Sequence, residues 1–231
     1  MSMKHLAAMA AALLILGGCA QSNTVDYAAP ERGDADYLKG KNTRADELYL
    51  NSNSPAGGRN FRNVYIAPAD LSRLQIIQPE GAGQDKDWQV TDVEDGVLQK
   101  AIQDEFAAAL AYHSAFNIVA SREQAEIVVH TTVVAIHPNA NREQVAAGAK
   151  SGGAITVSMA LVDAKSGVVL VRSVDTKSTD DIWAFHQLEN DDNAVNLIFR
   201  SWGNSMRRGI LRLQGRSNDP LAAPIMAKEQ K

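Results

Sequence analysis

The stretch Ala154-Ile155-Thr156-Val157-Ser158-Met159-Ala160-Leu161-Val162-Asp163-Ala164-Lys165-Ser166-Gly167 decides the fold class. Ile155, Val157, Met159 and Leu161 fall on alternate positions, with Thr156 and Ser158 between them. A period of two is a strand with one face against a core. Lys165-Ser166-Gly167 supplies turn chemistry, and the Val-rich run Val168 to Thr176 returns. The pair reads as a β-hairpin.

Upstream, Glu126 to Ile136 is dense in Val and Ile on both sides, which predicts a strand central in the sheet. Phe116 to Ala120 reads as a short strand, and Ser121 to Ala125 as a turn. Before them, Thr91-Asp92-Val93-Glu94 is a capping box. Val93, Val97, Ile102, Phe106, Ala109 and Leu110 follow as one apolar helix face, and the helix should stop near His113-Ser114. Phe61 to Ala67 reads as a strand ending at Pro68, residues 70–90 as a loop, and Ala140 to Gly153 as a second loop. Downstream, Asn190 to Leu213 is a second long helix with Val195, Ile198, Phe199, Trp202, Met206, Ile210 and Leu213 as its stripe. The order predicts an α+β domain: a mainly antiparallel sheet of about five strands, with both long helices on one face.

The N-terminus carries a different signal. Lys4 gives a basic start, Leu6 to Leu16 form an apolar run of eleven residues, and Leu16-Gly17-Gly18-Cys19 follows. The run suits a secretory signal and is too short for a permanent membrane helix. The terminal cysteine makes it a lipobox: cleavage between Gly18 and Cys19 would leave Cys19 carrying acyl chains such as palmitate. Ala20, where an Asp tends to retain lipoproteins at the inner membrane, favours the outer membrane. Cys19 is the only cysteine, so a disulfide framework is excluded. Residues 1–18 are therefore read as signal peptide, 19–59 as a flexible tether, 60–214 as a single domain, and 215–231 as a loose tail.

The formal net charge is −4, and losing Lys4 with the signal makes it −5. That argues against nucleic acid, which calls for a basic surface. His130 and His137 lie seven apart on one expected strand, an odd offset that predicts opposite faces and no shared metal. His113 and His186 read as a helix-end residue and a polar rim residue. No metal, cofactor, phosphate-loop or nucleophile pattern emerges, so the chain is expected not to be an enzyme. Acidic runs at Asp180-Asp181 and Glu189 to Asp192 read as solvated loop. Arg200, Arg207, Arg208, Arg212 and Arg216 crowd the second helix and read as a solvated face, the alternative being contact with anionic lipid headgroups or an acidic partner; Arg207, Arg208 and Arg212, with Trp88 and Trp183 in loops, are the candidate interaction surface.

Cys19 after its lipobox, Val64-Tyr65-Ile66-Ala67-Pro68, Gly152-Gly153-Ala154, and Leu161 to Leu170 together resemble an uncharacterised family of Gram-negative outer-membrane lipoproteins, a domain of unknown function. The likeness covers roughly residues 60–214, and no catalytic residues carry over from it. A looser likeness in element order is to lipoproteins that assist envelope machines, an analogy of fold alone. The anchor, the long tether and the lack of a catalytic constellation predict a membrane-anchored periplasmic accessory that docks onto another envelope protein. The alternative is a cell-wall or lipid-related enzyme or small-ligand binder. Its pocket would lie between loops 70–90 and 138–153, with Asp87, Trp88 and Asp163 as its candidates.

Overall fold

The computed structural model describes residues 37–40, 45–53, 60–77, 79, 90–149, 151–184 and 193–220. The elements run β1 (Tyr37–Lys39), β2 (Glu47–Asn51), β3 (Asn63–Ile66), β4 (Gln75–Ile76), α1 (Asp92–Ala111), β5 (Asn117–Ile118), β6 (Ile127–Pro138), α2 (Arg142–Ala146), β7 (Gly153–Asp163), β8 (Val169–Thr179) and α3 (Ala194–Leu213). The signal segment, Cys19, Trp88 and His186 lie outside the described residues.

The eight strands of the described residues join one sheet in the order β1-β2-β8-β7-β6-β3-β5, with β4 on the far end of β6. From β1 to β6 the neighbours are antiparallel, whereas β3 and β4 join β6 in parallel and β5 joins β3 in parallel. The expected sheet of about five mainly antiparallel strands is thus corrected to a mixed sheet of eight. The strand expected at Phe116 to Ala120 is present as β5, and the additional strands are β1, β2 and β4; β4 has two residues, too few to carry a period of two. β1 and β2 lie within the segment expected to be tether. Glu47-Leu48-Tyr49-Leu50 alternates and adds to the outer edge of β8, Glu47 opposite Val174 and Leu50 opposite Val171.

The predicted hairpin is β7 and β8. Asp163, 2% exposed, caps its turn: Oδ1 accepts from the Ser166 N–H and hydroxyl, both at 2.7 Å. Gly167 sits at φ 73°, a region glycine enters without steric cost. Asp163 is therefore a turn-former, not a pocket carboxylate. Gly153 starts β7 because a Cβ there would lie 2.4 Å from the His137 carbonyl.

One core fills the space between the sheet and both long helices, as expected. β6 and β7 give it Ile127, Val129, Val133, Ile155, Val157, Met159 and Leu161; α1 gives Leu98, Ile102, Phe106 and Leu110. The capping box forms, with the Thr91 N–H donating to Glu94 Oε2 at 2.6 Å and the Glu94 N–H to Thr91 Oγ1 at 3.3 Å. The predicted stripe shifts at its start: Val93 is 77% exposed and Leu98 is fully buried. Positions 98, 102, 106 and 109 share a face at steps of three and four, and Val93 lies about half a turn away, on the opposite face.

Three further expectations change. The 140–153 loop contains α2, started by an Asn141 capping box with Gln144. Trp183 is 7% exposed and packs in the core. The tail expected from 215 begins as a Schellman close to α3: Gly215 has φ 76°, its N–H bonds the Arg212 carbonyl, and the Arg216 N–H bonds that of Leu211, while residues 221–231 lie outside the described residues.

The face of the sheet away from the helices holds a smaller cluster, Val128, Ala160, Val162 and Val169, with Tyr37 and Tyr65 against it. His130 and His137 both belong to that face. A bulge between Val133 and Ala135 sets His130 opposite Ala160 and His137 opposite Ala154, six residues apart on β7. The extra residue cancels the odd offset. Six residues of strand, about 20 Å, still separate the two imidazoles' backbones.

Candidate functional site

With β2 added to β8, a groove lies between the sheet and α3. Its volume is about 650 Å³. Leu48 and Leu50 of β2, Val171 of β8, and Met159 and Leu161 of β7 form its apolar floor; Trp202, Met206 and Leu213 of α3 form its wall. Register explains the composition. Leu48 faces Ser173 and Leu50 faces Val171, while Leu161 also pairs with Val171, so these residues share the helix side of the sheet.

Polar groups line it as well. Asp175, 6% exposed, accepts the Trp202 indole N–H at 2.7 Å and lies 3.6 Å from Lys177 Nζ. Its other oxygen takes the Asp46 N–H at 3.3 Å, and the Asp46 carboxylate takes the Thr176 N–H at 2.9 Å. One buried carboxylate thus ties α3 to β8 and the segment before β2. Along α3, Ser201, Ser205, Arg208 and Arg212 follow at steps of four, three and four, and line the groove too. The Arg208 guanidinium donates to Ser205 Oγ at 3.1 Å.

The arginines of α3 do not form a uniformly solvated face. Arg200 makes a two-point bond to Glu105 of α1, at 2.7 and 3.0 Å. Arg207 is 1% exposed, with its guanidinium 5.0 Å from the Tyr112 ring centre. Burial lowers its pKa, partly offset by Tyr112 and Asp219. Both Arg200 and Arg207 serve helix packing, and Arg207 is withdrawn from any surface role. Arg208 is 8% exposed and belongs to the groove, as does the exposed Arg212. Trp183 is likewise in the core, so of the candidate surface residues described, Arg208 and Arg212 are brought together.

The groove was hidden from the sequence because its floor comes from a segment that reads as tether. The signal that finds it is the alternation of Leu48 and Leu50 beside the Trp202 and Met206 stripe. It is also not where the 70–90 and 138–153 loops meet; residues 80–89, with Asp87 and Trp88, lie outside the described residues. Elsewhere, burial and the Arg122 guanidinium push His130 down to about 4. Among the described residues no three His, Cys, Asp or Glu side chains cluster as metal ligands.

Comparison with known proteins adds the following. No curated protein matches the chain. Similar solved structures include a PelC dodecamer from Paraburkholderia phytofirmans, with 13% identity, 72% of this chain and 97% of that chain covered, and a TM-score of 0.42. Protein XCC0632 from Xanthomonas campestris has 12% identity, 71% and 91% coverage, and a TM-score of 0.39. Lipoprotein GNA1162 from Neisseria meningitidis has 10% identity, 62% and 99% coverage, and a TM-score of 0.32. A protein family matches residues 31–206, a span that includes β1, β2 and the groove floor they supply. The chain belongs to that family, described as a protein of unknown function, DUF3313.

Proposed function

We propose that this chain is a lipid-anchored protein of the Gram-negative envelope, held by Cys19 at the periplasmic face of the outer membrane and acting there as a non-enzymatic accessory. The observation that carries the reading is the sequence Leu16-Gly17-Gly18-Cys19 after an eleven-residue apolar run. Such a signal delivers an exported body and leaves acyl chains as its anchor; stable attachment takes more than one chain. No helix among the described residues is long and apolar enough to cross a membrane. A lipid-borne anchor is compatible with such a body. Support for a non-catalytic role comes from the buried carboxylates, since Glu105 joins two helices, Asp163 caps a turn and Asp175 ties a helix to the sheet.

The test is metabolic labelling of the full chain with an alkyne fatty acid, followed by membrane fractionation. The native chain should take up label and sediment with outer membrane. Cys19→Ala should lose the label and the sedimentation together. Label on the Cys19→Ala chain, or native chain in the cytosolic fraction, would overturn the reading.

A further inference from the structure

We propose that the groove beneath α3 binds a single-chain anionic amphiphile, its acyl chain lying on Leu48, Leu50, Val171 and Met206 and its headgroup meeting Arg208 and Arg212. Three observations point there. Its volume of about 650 Å³ falls within the range of small-molecule sites, roughly 300–1,000 Å³, and the walls are mainly apolar with a few placed polar groups. Charge is biased: Lys177, Arg208 and Arg212 line the groove against Asp175 alone, in a chain whose net charge is −4. Asp175 and Lys177 offset each other, which leaves Arg208 and Arg212 as the groove's excess charge, so the local field favours an anion.

The third observation is Gly209. It stands inside a 20-residue helix, between the two arginines, and lines the groove. Glycine is the poorest helix former after proline. Gly203 on the same helix has a packing reason, because a Cβ there would lie 2.7 Å from that of Ala109. Gly209 has none; a Cβ there would meet nothing within 4 Å. What glycine preserves at 209 is open volume in the groove.

The experiment is photo-crosslinking of the full chain in phosphatidylcholine vesicles. The probes are diazirine-bearing palmitate, a lysophosphatidylglycerol and an uncharged monoacylglycerol of equal chain length. Labelled peptides spanning residues 201–213 and 45–53 are scored by mass spectrometry. Membrane association itself is not scored, so the result is independent of the fate of Cys19. Labelling by the anionic probes should exceed that by the neutral one about tenfold, the usual scale of one charge-assisted contact. Palmitate alone would identify a carboxylate ligand; both anions would identify any anionic single-chain headgroup. Gly209→Leu should cut labelling at least tenfold while its melting temperature holds or rises. Arg208→Gln with Arg212→Gln should abolish the preference for anions. Equal labelling by the neutral probe would overturn the proposal. So would undiminished labelling of a folded Gly209→Leu chain; if that variant does not fold, an unchanged anion preference in the double arginine variant would do so.

Discussion

Asp175 shows how much one side chain can hold in this molecule. A buried carboxylate that accepts an indole N–H at 2.7 Å shields both groups from the cost of lying unpaired. Removing the carboxylate strands the Trp202 N–H, so Asp175→Ala should destabilise the fold by about 1–3 kcal/mol. Trp202→Phe removes the donor, and the double variant should cost less than the sum of the singles, read by urea midpoints in a double-mutant cycle. Strict additivity would show that the bond contributes nothing. His130 gives a prediction in pH. Burial first, then Arg122, lowers its folded pKa from 6.5 to about 4. Between those values the unfolded chain binds the proton and the folded chain does not. This contribution is complete above pH 6.5 and is lost as pH falls toward 4. The native chain should therefore lose more stability than His130→Gln over that interval, measured by denaturant midpoints at each pH. Parallel pH profiles would remove His130 as the source.

At the scale of elements, α1 and α3 are set close by Gly203 and clamped by Arg200 on Glu105. Gly203→Ala should cost about 1–2 kcal/mol: overpacking costs ~1–3 kcal/mol, and better helix propensity offsets up to ~1. Ala109→Gly in that background should recover part of the loss, because it reopens the same space. Gly209→Ala, facing open volume, should instead stabilise by up to about 1 kcal/mol. Thermal melts of the four chains separate these outcomes, and equal shifts at 203 and 209 would contradict the close crossing. The same elements show what sequence reading reaches. Thr91 with Glu94, the alternation of Ile155 to Leu161, and the α3 stripe carry their structure locally, in caps and in periods of two and near four. β4 does not, since two residues hold no period and exist only through their partner β6, whereas β5 falls inside the strand expected at Phe116 to Ala120. The bulge at Val133–Ala135 is equally silent in sequence, and it alone moved His137 to the face of His130. Trp183 misled because its chemistry suits a surface or a core equally; its neighbours chose the core.

For the whole molecule, the consequential surprise is that residues expected as tether complete the sheet. β2 covers the open edge of β8, Asn51 Nδ2 bonds the Val169 carbonyl at 3.0 Å, and Asp46 binds the Thr176 N–H at 2.9 Å. A chain starting at Asn60 would leave β8 as an 11-residue edge with unpaired N–H and C=O groups and remove Leu48 and Leu50 from the groove floor. Edges of that length recruit other strands unless blocked. Compared with a chain starting at Glu31, the shorter chain should melt several degrees lower, because losing even a few kcal/mol shifts a domain of this size by about that much. It should also form larger, concentration-dependent assemblies by light scattering. Adding β-branched residues to β8 would aggravate the effect, whereas Val174→Lys, a charge on the exposed edge, should suppress assembly without restoring the melting temperature. If residues 31–59 were only a tether, both chains would melt together and scatter alike, and the groove would lose its floor as a physical object.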